Sequence, residues 1–60
     1  MDRYVKFGKL KDGDAFYLDR QVWIKAVEWD EWEMKNIYYA RKFDSEEQAF
    51  FSYDTLVERM

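Results

Sequence analysis

Residues 45–59, SEEQAFFSYDTLVER, decide the fold class, because two kinds of structure can be built from them. Ser45-Glu46-Glu47-Gln48 resembles a capping box, and Ala49, Tyr53, Leu56 and Met60 recur at helical spacing. That reading ends the chain in a helix over 45–59 and makes the fold α+β. Against it, Phe50, Phe51, Ser52, Tyr53, Asp54, Thr55 and Val57 are poor to middling helix formers placed where the helix interior would be. The opposing reading puts a turn at 44–47, a strand at 48–53, a tight or 3₁₀ turn at 54–56 and a last short strand at 57–60. We prefer it, and it predicts an all-β chain.

Working back towards the N-terminus, Asn36-Ile37-Tyr38-Tyr39-Ala40-Arg41-Lys42-Phe43 reads as the strand that pairs with 48–53. The preceding segment EWDEWEMKN, residues 28–36, reads as a long loop or a single helical turn. Phe16-Tyr17-Leu18 and Val22-Trp23-Ile24-Lys25-Ala26-Val27 form a hairpin around the polar interruption Asp19-Arg20-Gln21. Lys11-Asp12-Gly13-Asp14 is the clearest turn signal, since Gly tolerates positive φ and Asp caps its own turn. Before it, Tyr4-Val5-Lys6-Phe7 is a short edge strand, with a bend at Gly8. About five short strands result.

Sixty residues suit one small domain, 1–60, with one core. Thirteen aromatic side chains must stabilise it, because the absence of Cys and His removes disulfides, thiolate zinc sites and Ser-His or Cys-His catalysis. The expectation is no catalytic residue, no metal and no cofactor. So small a domain also gains from pairing with another chain, which leaves homo-oligomerisation open. No apolar run approaches a membrane span or a secretory h-region, so the chain reads as a cytoplasmic protein without a membrane partner. Beginning at Met1 and lacking any linker, tag or repeat, it reads as a complete and very short gene product.

The net charge of −3 is uneven: residues 1–30 carry six groups of each sign, whereas 31–60 carry four basic and seven acidic groups. With a sequence pI near 4.8, free nucleic acid is a poor expectation.

The stretches LKDGDAFYL (10–18), WIK (23–25) and YARKFDSEEQAFFSYDTLVE (39–58) resemble a loose group of small phage and prophage proteins. The pattern of that group runs LKxGDxFY, an aromatic-x-Lys strand, a strand containing Ala-x-Arg or a close variant, a turn, and a Phe-Phe strand leading to Asp-Thr-x-Val-Glu. The resemblance touches most of the chain and implies a small, strongly bent antiparallel sheet of SH3-like barrel type, with strand at 48–53. It brings no shared activity. The turn at 44–47, which lacks the usual Gly, and the Trp-rich acidic segment depart from the pattern.

Three groups of residues are candidates for function. Glu28, Asp30, Glu31 and Glu33 lie within six residues, so a pair could act as acid and base or bind a hard cation. Trp29 and Trp32 interrupt the ligand alternation a calcium loop needs, which favours a solvated acidic loop. The two Trp are either lids over an open end of the core or anchors for a partner whose basic surface the carboxylates would steer. Arg3, Lys6, Lys9 and Lys11, interleaved with Tyr4 and Phe7, form the pattern a single-strand nucleic-acid binder uses, or the lysines that protect an edge strand. The neighbours Tyr38/Tyr39 and Phe50/Phe51 must each split between the two faces of a strand, which exposes one aromatic of each pair. The expected function is a non-catalytic protein-binding module, phage or prophage encoded, that docks on a host or viral protein in the host cytoplasm and modulates or inhibits it. The alternative is a small nucleic-acid-binding β-barrel.

Overall fold

A computed structural model of the protein describes residues 3–60. Six strands form one antiparallel sheet: β1 (Tyr4–Lys6), β2 (Ala15–Leu18), β3 (Gln21–Asp30), β4 (Lys35–Lys42), β5 (Gln48–Ala49) and β6 (Leu56–Arg59). Their spatial order is β1-β6-β2-β3-β4-β5. The all-β expectation holds, and the helix over 45–59 does not form, because that segment supplies β5 and β6 to opposite parts of the sheet. Among the described residues there is no α-helix, only a 3₁₀ turn at Phe7–Lys9. The sheet is open, with β1 and β5 as its edges.

Each turn has a local cause. Gly13 takes φ +91, a left-handed conformation open to glycine. Beside it the Asp14 carboxylate accepts from the Lys11 N–H at 2.8 Å, and the Gly13 N–H donates to the Lys25 carbonyl at 2.8 Å. Asp19 and Arg20 both adopt positive φ, 52 and 64, giving the two-residue turn whose twist matches a hairpin. Leu18 therefore pairs directly with Gln21, and the interruption is two residues long rather than three.

The core is aromatic. Phe7, Leu10, Phe16, Trp23, Ala40 and Val57 are buried together. Phe51 packs against three of them, with ring centroids 5.4 Å from Phe7, 6.0 Å from Phe16 and 5.5 Å from Trp23. Edge-on and tilted rings of this kind add to their area burial. The predicted strand at 48–53 is shortened to Gln48–Ala49, since the chain must leave the β4 edge for Phe51 to reach across the core. One aromatic of each pair is exposed, Tyr38 beside buried Tyr39 and Phe50 beside half-buried Phe51, but strand alternation splits only the Tyr pair, since Phe50 and Phe51 lie beyond β5.

Lys25 is buried among these rings, 2% exposed. Its Nζ donates to the carbonyls of Phe7 at 3.0 Å and Leu10 at 2.6 Å, tying β3 to the 3₁₀ turn. The ammonium also lies 4.7 Å from the Phe7 ring centroid, within cation–π range. Burial holds its pKa below the ordinary lysine value, partly offset by the Asp14 carboxylate.

Candidate partner-binding surface

The expected long loop at 28–36 is largely strand. β3 continues to Asp30 and β4 begins at Lys35, with every residue from Trp23↔Lys42 to Asp30↔Lys35 in register. Glu28, Trp29 and Asp30 therefore belong to β3, and only Glu31, Trp32, Glu33 and Met34 form the turn. A ten-residue strand spans roughly 33 Å, close to the longest dimension of the molecule, 39 Å.

The tip is organised by its own side chains. The Asp30 carboxylate accepts from the N–H groups of Trp32 at 2.9 Å and Glu33 at 3.4 Å, an Asx turn that starts the reversal. Met34 completes it at φ +55. Lys35 Nζ lies 2.8 Å from Glu33 Oε2, and their hydrogen bond lowers the pKa of Glu33 and raises that of Lys35. Trp32 is 95% exposed and Trp29 56%, so neither is a lid over the core.

Alternation assigns the two faces of the hairpin different chemistry. Trp23, Lys25, Val27 and Trp29 share one face with Ala40, Tyr38 and Asn36 of β4. This face is buried at its near end, at Trp23 and Ala40, and emerges as the exposed rings of Tyr38 and Trp29. Ile24, Ala26, Glu28 and Asp30 share the other face with Arg41, Tyr39, Ile37 and Lys35. There the Tyr39 hydroxyl donates to Glu28 Oε1 at 2.6 Å, and this bond raises the Tyr39 pKa. The four carboxylates are thus divided between a strand face and a turn. Among the described residues no three acidic groups are close enough together to hold a metal ion.

Tyr38 also lines a cleft of about 270 Å³ with Phe7, Gly8, Phe51 and Tyr53. The absence of a side chain at Gly8 lets the Tyr53 ring lie against the backbone there, where a Cβ would overlap it. The sequence marked Gly8 only as a bend, and nothing local signals that residues 38, 51 and 53 converge on it.

The four basic candidates are dispersed. Arg3 faces Glu58, Nη1 to Oε2 at 4.0 Å, and Lys6 Nζ lies 3.3 Å from Asp54 Oδ1. Lys9 ends the 3₁₀ turn, and Lys11 opens the Asp-Gly turn. Lys6 does lie on the edge strand β1. Among the described residues no helix is long and apolar enough to cross a membrane. No family model, curated protein or solved structure matches the chain.

Proposed function

We propose that the chain is a non-catalytic protein-binding module that docks on a basic surface of another protein through the β3–β4 tip. The observation that carries this reading is the exposure of Trp29 and Trp32 beside the four carboxylates of Glu28, Asp30, Glu31 and Glu33. Residues 28–38 hold four carboxylates and one lysine, net −3, so the rest of the chain balances. Exposed Trp contributes much of the energy of protein interfaces, and the carboxylates would speed encounter with a cationic partner. Encoding by a phage or prophage, and modulation or inhibition of a host or viral protein in the host cytoplasm, rest on the sequence pattern alone and belong to the same proposal. Nucleic acid is disfavoured as the partner, because Arg3 and Lys6 already face carboxylates and the chain is acidic.

The test separates anchoring from stability. Trp29→Ala and Trp32→Ala should each melt close to the parent chain, since an exposed side chain away from caps and strain contributes within about 0.5 kcal/mol. Each should weaken capture of a protein partner from host lysate. Full retention of the partner by both folded variants would remove the tip from the interface. Submicromolar DNA or RNA binding that is lost on reversing Lys6 and Lys9 would transfer the function to the N-terminal strand.

A further inference from the structure

β4 has neighbours on both sides only along part of its length. β5 pairs with Ala40 and Arg41 and then leaves, so among the described residues no strand lies beside residues 35–39 on that side. The direction of the free groups follows from the ladder. Phe43 donates its N–H to Val22 in β3, and Lys42 donates its N–H to Glu47 on the opposite side. Alternation then turns the N–H and C=O of Asn36 and Tyr38 away from β3, towards the open side. The corresponding edge of β3 is less open, because the Val27 N–H donates to the Asp12 carboxylate at 3.2 Å.

Open edges are normally blunted by Pro, bulges, short length or charge. β1 is three residues long and carries Lys6 paired with Asp54, and β5 is two residues long. The segment 35–39 has no Pro and no bulge, and its terminal Lys35 is engaged by Glu33. A two-stranded ribbon is marginal in water, and a third strand stabilises it.

We propose that this edge accepts an extended segment of the partner as an added β-strand, and that the segment alternates basic and apolar residues. The inference rests on the binding-module reading and specifies how that module recognises its partner. Period-2 alternation would place one set of the incoming side chains on the face of Tyr38 and Trp29, and the other on the face of Glu28 and Asp30. The first face is aromatic, and the second sets Glu28 and Asp30 of β3 behind Lys35, Ile37 and Tyr39 of β4, with Lys35 already engaged by Glu33 and the hairpin segment 28–38 at net charge −3. A second copy of this chain is disfavoured as the occupant, because it would bring two segments of net charge −3 edge to edge.

The probe is an alternating lysine–valine peptide long enough to span residues 35–39, with a glutamate–valine peptide as control, added to the full chain at low salt. The lysine peptide should bind and slow amide exchange at Asn36 and Tyr38 by about tenfold or more, as new hydrogen bonds to those groups require. N-methylation of one alternate set of peptide amides should abolish binding, and methylation of the other set should leave it intact. Asn36→Pro should also abolish it while preserving the fold, because Pro is accepted where a strand N–H faces solvent. If this variant unfolds, the methylated peptides decide alone. Binding without protection of Asn36 and Tyr38 would overturn strand addition but leave the module reading intact. No binding, or equal binding of the glutamate peptide, would also overturn strand addition, and the Trp variants would then judge the module separately. Protection that rises with protein concentration alone would make a second copy the occupant and overturn the proposal.

Discussion

The near and far halves of the β3–β4 hairpin share one ladder and one register but have different surroundings. In the near half, Trp23, Lys25 and Ala40 are covered by Phe7, Phe16 and Phe51, and the strands have neighbours on both sides. In the far half the same alternation leaves Trp29 and Tyr38 in solvent on a ribbon of two strands. The β3–β4 ladder therefore does not distinguish the halves. What distinguishes them is whether other elements pair along the outer edges of the two strands and reach over their face, and stability should follow that coverage.

The largest test of this difference is Phe16→Ala. It empties the centre of the near half and should cost about 3–5 kcal/mol, enough to unfold a domain this small. Thermal melting followed by circular dichroism would check it. A folded variant with unchanged melting would mean that the near half is not where stability resides.

Lys25→Met acts at the junction between the halves. It leaves the Leu10 carbonyl without its donor, at a cost of about 1–3 kcal/mol, whereas the Phe7 carbonyl keeps the Leu10 N–H at 3.1 Å. The pH dependence carries a signature of its own. Because burial depresses the folded-state pKa of Lys25, the unfolded chain binds more protons at pH between that value and the ordinary lysine value. The contribution of Lys25 to stability therefore rises with pH across this alkaline interval. Tyr39 acts in the opposite sense: its pKa is raised on folding, so its contribution falls as pH rises through the folded value. Subtracting the denaturation curves of Lys25→Met from those of the parent chain isolates the lysine. A difference that is flat with pH would contradict the assignment.

The finest comparison applies one substitution to each half. Arg20 and Met34 both hold positive φ without being glycine, at 64 and 55. Glycine removes a cost of about 1 kcal/mol at either position. Arg20→Gly, in the turn joining β2 to β3, should raise global stability by about that amount in denaturant melts. Met34→Gly should slow amide exchange at residues 29–36 and leave the global melt nearly unchanged, because the tip opens locally. Equal global gains would show that the hairpin unfolds as a single unit with the core.

Much of the fold was legible from local chemistry. Asp12-Gly13 marks a turn because few residues other than glycine tolerate φ +91, and β-branched and aromatic runs mark β2, the start of β3 and β4. Adjacent Tyr38 and Tyr39 announced their own division between the faces of β4. Other features depend on partners distant in sequence. The polar run EWDEWEMKN gives no local sign of strand, yet Glu28, Trp29 and Asp30 are held extended by Ile37, Asn36 and Lys35 opposite them. Lys25 looks like a solvated strand lysine until the 3₁₀ turn places two carbonyls over its ammonium. Phe51 sits in a segment with no regular structure and is placed by the core it completes.

The sequence by itself determined that this chain is built of strands, where its tightest turns fall, and that four carboxylates flank Trp29 and Trp32, since all three follow from side-chain type and nearest-neighbour geometry. Only the tertiary structure decided which aromatics are covered, that Trp29 and Trp32 are not, and that β4 keeps an open edge beyond Ala40. Coverage and edge pairing are set by where β5, β6 and the 3₁₀ turn arrive in space, and that arrival depends on contacts between residues far apart along the chain.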